Sequence, residues 1–244
     1  MRGWIALGVF FVVALAALAP ATLIDARLER ATGGRLRLAE AQGSVWSGAG
    51  WIEMRDADGR AGVAKRLAWR VLPESLWRGR LVAEVTLDQD AKPFRATLSP
   101  SRVEISAAAL HLPAAALGLG LPRLTALRLS GDLRLEIAQL SLERGRIDGD
   151  ATLQWRAAGS ALTPVSPLGD YEVRFKAAGP VMHATLRTLE GPLQLEGDGK
   201  WTNGKAPGFL ATARVPPQHH DQLAPLLRLV ALERSAGTFE LQLK

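Results

Sequence analysis

The sequence predicts a mainly β protein: an N-terminal transmembrane helix followed by a long, curved antiparallel sheet with one or two short helices. Three observations lead there. A charge-free apolar run occupies Gly3 to Ile24, apolar and polar residues alternate with period two through most of the chain beyond Arg35, and glycines recur between the alternating segments. Alternation marks strands with one wet and one buried face. Connections that short leave no room for crossover helices, so neighbouring strands run antiparallel.

The apolar run comes first. It contains Leu7, Phe10, Phe11, Leu15 and Leu18, with Trp4 where an interfacial aromatic belt is expected. Its length suits a bilayer core, which takes about 20 residues at about 1.5 Å each. Ile5, Leu7, Val9, Phe10, Phe11, Val12, Val13, Leu15 and Leu18 together favour insertion by roughly 3 to 5 kcal/mol, with no charge opposing them. A cleaved leader is the competing reading, since Ala17-Leu18-Ala19 has the small-x-small form of a cleavage site. Pro20 follows directly and disfavours processing, so an uncleaved anchor over 3–24 is expected. Arg2 before the run and Asp25, Arg27, Glu29 and Arg30 after it do not fix the orientation.

Residues 25–42 read as a juxtamembrane helix and linker. Leu23, Ala26, Leu28 and Ala31 keep helical spacing, and Gly33-Gly34 supplies a stop. Residues 43–244 then form one β-rich domain, with no low-complexity linker to divide it. Its clearest strands are Leu81 to Leu87, Leu133 to Ile137, Tyr171 to Lys176 and Phe239 to Lys244. Further candidates lie at 36–38, 50–55, 63–71, 94–98, 103–107, 124–129, 140–142, 151–156, 182–189, 193–197 and 209–215. Gly145, Gly179 and Gly191 sit where short turns are needed. Two segments break the pattern. Leu110 to Leu119 carries an alanine run that suits one or two helical turns, and Gln218 to Leu232 spaces Leu223, Leu226, Leu227 and Val230 as a helix with Pro225 near its start. Alternation does not decide between a closed barrel and an open, apolar-lined trough, because both bury one face.

The chemistry available to the chain is narrow. It has no cysteine, which removes disulfides, thiolate catalysis and Cys-ligated metal sites. The net charge of +6 is spread among 24 acidic residues without a basic block, so no nucleic-acid role is expected. His219-His220 are adjacent and point apart, which suits a solvated helix start better than a metal site. Gly43 to Gly48 lacks nucleophile-elbow spacing, and Asp56-Ala57-Asp58-Gly59 begins like a calcium loop that Leu67 fails to close. No catalytic, cofactor-binding or metal-binding residues are assigned, and the chain is read as not an enzyme.

Four stretches resemble the type II secretion system protein N family, also called general secretion pathway protein N. They are Gly43-Ser44-Val45-Trp46-Ser47-Gly48, Ser166-Pro167-Leu168-Gly169-Asp170-Tyr171, Gly191-Pro192-Leu193 through Gly197 with Trp201 beyond it, and Leu223-Ala224-Pro225-Leu226-Leu227. The residues singled out as partner-facing or motif positions are Trp46, Gly48, Pro167, Gly169, Tyr171, Gly191, Pro192, Trp201 and Pro225, with Trp46 expected to plug the sheet. The resemblance implies an accessory inner-membrane component of the apparatus that exports folded proteins across the outer membrane. It further implies a cytoplasmic tip at residues 1–2, a single pass, and a periplasmic body that engages the platform and the secretin. The family is similar to AsmA-like periplasmic β proteins, so an AsmA-like trough or partly closed barrel is expected, with phospholipid as the alternative ligand.

Overall fold

The computed structural model describes residues 18–56, 59, 61–88, 92–120, 122–202 and 208–243. Expected anchor residues Trp4, Leu7, Phe10, Phe11 and Leu15 lie outside them. Among the described residues no helix is long and apolar enough to cross a membrane. The chain splits into two compact units, Met1–Pro93 and Phe94–Lys244.

In the first unit, helix α1 (Thr22–Thr32) precedes a four-stranded antiparallel meander. Its strands are β1 (Leu36–Gly43), β2 (Ser47–Arg55), β3 (Ala61–Leu72) and β4 (Leu81–Leu87). The sheet therefore opens ahead of residue 43, inside the stretch expected to be linker. Gly33 ends α1 in the left-handed region at φ 61°, and the Gly34 N–H donates to the Glu29 carbonyl at 2.8 Å. Asp25 fastens the helix to β1: its carboxylate accepts the Leu38 N–H at 2.8 Å and pairs with Arg37 at 3.2 Å. Burial opposes that charge, but these two donors hold the Asp25 carboxyl below its ordinary pKa.

One face of this meander is covered. Ala21, Leu38 and Trp69 are buried, and Ile24, Leu28, Leu67 and Val85 pack around them. Ala21 and Ile24 thus belong to the folded unit, although the expected span ran to Ile24. The indole that fills the sheet is Trp69, not Trp46. Trp69 lies against Gly48, where an added Cβ would come within 2.5 Å of its Cζ2, and its Nε1 donates to the Val45 carbonyl at 3.2 Å. Trp46 stays half-buried in the β1–β2 connection, its carbonyl accepting the Val71 N–H at 2.7 Å.

The second unit is a ten-stranded antiparallel array. Its strands are β5 (Phe94–Leu98), β6 (Arg102–Pro113), β7 (Leu129–Glu143), β8 (Arg146–Ser160), β9 (Gly169–Ala178), β10 (Val181–Glu190), β11 (Gln194–Thr202), β12 (Gly208–Arg214), β13 (Leu232–Ser235) and β14 (Thr238–Leu243). Neighbours follow chain order until β14 inserts between β12 and β13. The array stays open, since among the described residues β13 pairs only with β14. That edge is four residues long, exposed at each residue and bulged, with Glu233 and Arg234 tied into ion pairs.

Two expected strands at 133–137 and 140–142 are one strand, β7, continuous through a bulge between Ile137 and Gln139. Arg144-Gly145 closes the β7–β8 hairpin with φ of 47° and 80°, the positive values of a two-residue type I′ turn. The strand expected at 124–129 is instead a short helix over Pro122–Thr125 followed by a turn. Pro122 presets its first φ, and the turn directs Leu127 into the core. Near Leu110 to Leu119 the strand β6 persists to Pro113 before helical turns begin at Ala114. With the short helices Leu117–Gly120 and Pro122–Thr125 taken as α2 and α3, the expected helix after Gln218 is observed as α4 (His220–Leu227), with Pro225 inside it.

Candidate functional site

The second unit carries one unbroken apolar face. Register alone places Leu110, Leu135, Leu153, Val173, Leu186, Gly197, Ala211 and Leu241 in a single row across eight strands. The next row reads Ala108, Ile137, Ala151, Phe175, Ala184, Gly199 and Phe209. Rows beyond it run through Ile105, Leu140, Ala177, Met182 and Trp201, and then through Leu98, Val103, Leu142 and Ile147. The opposite face is polar along matching rows, for example His111, Arg134, Gln154, Glu172, Arg187, Glu196, Thr212 and Glu240. Bulges preserve this sorting, because the extra residue at 138 lets Leu140 and Leu142 rejoin the apolar side.

Burial along the face is graded. At one end α4 seats Leu223, Leu226 and Leu227 against Leu127, Leu168, Leu193, Ala213, Val215 and Phe239. Phe239 and Leu223 are fully buried there. In the middle rows Leu110, Leu135, Leu153, Val173 and Leu186 are half-buried. At the far end Leu98, Val103 and Leu142 are 44%, 39% and 45% exposed. From Leu133 to Leu142 the face extends roughly 30 Å at about 3.3 Å per residue.

The capped end gathers most of the singled-out motif residues. Gly169 and Gly191 let two backbones touch: an added Cβ on Gly191, at φ 124°, would run into the Gly169 Cα and the Leu168 carbonyl. The Ser166–Pro167 peptide bond is cis, just ahead of buried Leu168. Pro192 leads into buried Leu193, whose carbonyl accepts the Tyr171 hydroxyl at 3.0 Å. Burial, aided by the neighbouring Asp170 charge, raises the Tyr171 phenol well above its ordinary pKa, so it stays a donor. Trp155 lies beside Tyr171 at 5.8 Å between ring centroids. Pro225 sits on the exposed side of α4. Trp201 is elsewhere, on the apolar face, stacked on Phe209 at 6.0 Å. Trp46 and Gly48 belong to the first unit.

Two polar features escaped the sequence reading. Glu172 is buried on the polar face, yet bonds Arg174 and Arg187 at 2.7 Å each and Gln154 at 3.2 Å. Burial works against its charge, but these donors lower its pKa below the ordinary carboxylate value. His220, expected to be solvated, lies with Nε2 3.0 Å from Glu233 and its ring 6.4 Å from that of Phe239, joining α4 to β13. Glu233, aided by Asp221, raises the His220 pKa. Lone acidic residues and histidines in alternating segments gave no signal of either cluster. Among the described residues no group of three or more His, Cys, Asp or Glu could hold a metal ion. What the arrangement offers is a long greasy surface, closed at one end and open at the other.

In comparisons with known proteins, the sequence model described as type II secretion system (T2SS), protein N, matches residues 34–242. No curated protein and no solved structure matches the chain.

Proposed function

Since the chain belongs to the type II secretion system protein N family, we propose that it acts as a non-catalytic accessory component of that system, working through the open apolar face of its second unit. The 3–24 run anchors it in the bacterial inner membrane by a single pass, and the body lies in the periplasm. There it engages other secretion components, the inner-membrane platform and the outer-membrane secretin. The observation that carries this reading is the gradient from a buried cap to side chains such as Leu142 at 45% exposure. A contiguous apolar surface of that extent marks a place where something else binds. Strand addition is the less suitable mode, because the β13 edge is short and charged.

A second reading is favoured by the same face. Its length of roughly 30 Å exceeds one bilayer leaflet of about 15 Å, so an acyl chain of a phospholipid fits along it.

One experiment separates the two. A photo-crosslinking amino acid replaces Leu142 in cells, with Arg134 on the polar face as the comparison site. The first reading expects adducts with platform or secretin proteins from position 142 and none from 134. Phospholipid recovered at near one per chain, without protein adducts, supports the second. Neither protein nor lipid at position 142 overturns both.

A further inference from the structure

In the first unit, three segments meet at one end of the sheet. The β1–β2 connection lies there, since Gly43 pairs with Gly48, and so does the β3–β4 connection, since Ser47 pairs with Arg70 and Leu72 with Val82. The incoming chain reaches the same end: Pro20 bridges to Ser44, the Ala21 N–H donates to the Gly43 carbonyl at 3.2 Å, and Ala19 accepts the Val45 N–H at 2.9 Å. The described end of the charge-free stretch, residues 18–21, therefore joins the folded unit at this end of the sheet.

The β3–β4 connection is a 3₁₀ turn, Pro73–Arg78, and its apolar residues face outward. Trp77 is 93% exposed and Leu76 40% exposed, while Leu18 on the incoming segment is 80% exposed. Arg70, Arg78 and Arg80 are exposed at this end, with the acids Glu74 on the turn and Glu84 opposite Arg70 in the β3–β4 register, so Arg78 and Arg80 are the cations nearest the indole in sequence. The turn is held in place. Ser75 Oγ donates to the Leu72 carbonyl at 2.6 Å and accepts the Val82 N–H at 3.0 Å, and the Gly79 N–H donates to the Leu76 carbonyl at 2.9 Å. A fixed turn that presents an indole to solvent has no folding reason to do so, since burial of Trp is among the largest apolar gains a chain can make.

We infer that this end of the first unit sits on the surface of an anionic phospholipid bilayer, with Trp77 inserted at headgroup level and Arg78 and Arg80 paired with lipid phosphates. An indole suits that depth because its ring is apolar and its N–H is polar. Each arginine near such a surface strengthens binding about fivefold. The contact is a second point of attachment beside the anchor, and it fixes which end of the unit faces the lipid. The inference rests on the reading of 3–24 as a membrane anchor.

The chain has no cysteine, so Trp77→Cys creates a unique labelling site. The exposed Ala64, eight residues before Leu72 on β3 and so roughly 26 Å along the strand, gives a comparison site as Ala64→Cys. Both full-length variants carry an environment-sensitive dye and are reconstituted in vesicles of phosphatidylethanolamine and phosphatidylglycerol. The dye at position 77 is expected to shift to the blue, to be quenched by lipid-borne nitroxide, and to be several-fold less accessible to iodide than at position 64. Adding Arg78→Glu and Arg80→Glu reverses most of that protection. Equal iodide access at both sites, in chains that float with the vesicles after an alkaline wash, overturns the inference and leaves the anchor standing. Chains that fail to float overturn both.

Discussion

The two ends of the apolar face in the second unit are built from the same alternation and differ only in what lies over them. At the capped end α4 and the loops around Leu168 and Leu193 bury Phe239 completely, whereas Leu142 and Leu98 at the other end remain almost half exposed. Period two states which side of a strand is apolar. Whether that side is covered depends on segments arriving from elsewhere in the chain. The comparison separates residues that hold the fold from residues available to bind, although both read as ordinary strand leucines and phenylalanines.

The largest effect is expected at the cap. Phe239→Ala, by removing a fully buried ring, should cost about 3 to 5 kcal/mol of stability in urea unfolding followed by circular dichroism. A loss below about 1 kcal/mol would show that the cap is not the anchor of this unit. Next comes the polar face. Glu172→Gln should cost about 1 to 2 kcal/mol, because two arginines and Gln154 lose their shared acceptor charge. In the native chain this carboxylate's pKa is depressed, so its contribution is complete above its unfolded pKa near 4.5 and falls as pH drops through the lower folded value. Unfolding midpoints between pH 6 and pH 3, compared with those of the Gln variant, should converge at the acid end.

A smaller effect of opposite sign is expected at His220. Its pKa is raised, so its contribution is complete below the unfolded value of 6.5 and is lost as pH rises through the folded one. Hydrogen exchange of amides in 220–239 should therefore quicken more between pH 6 and pH 8 than the chemistry of exchange alone accounts for, and His220→Gln should abolish the excess. The smallest stability change belongs to the open end. Leu142→Ala should shift unfolding by under about 1 kcal/mol while weakening capture of the partner or lipid. A cost like that of Phe239→Ala would show that Leu142 is structural.

Much of this was legible in the residues. The apolar rows follow from alternation, the hairpin at Arg144-Gly145 from its glycine, and α4 from the spacing of Leu223, Leu226 and Leu227. What escaped has physical causes. Pro122 and Leu127 sit in a segment whose apolar content suits strand and turn alike, and only docking onto the cap decides it. The choice between Trp46 and Trp69 as the core indole depends on β1–β2–β3 register, which pairs Gly48 with Trp69. Gly169, Gly191 and Tyr171 stand in the motif stretches of the sequence, but their meeting at the cap is a tertiary fact that spacing does not encode. The gradient of exposure was likewise invisible, because an alternating strand looks the same beneath a helix and beneath water.

The blunted edge at β13 bears on how such a molecule survives at high local concentration. A broad greasy sheet invites copies of itself to stack and extend one another hydrogen bond by hydrogen bond, the geometry of fibrils. With Glu233 held by His220 and Arg228, and Arg234 by Glu240, that border gives an arriving strand four residues, a kink and charged side chains fixed in place. Strand-by-strand growth from that edge is thereby disfavoured, which leaves the apolar face as the adhesive surface at the open end of the second unit.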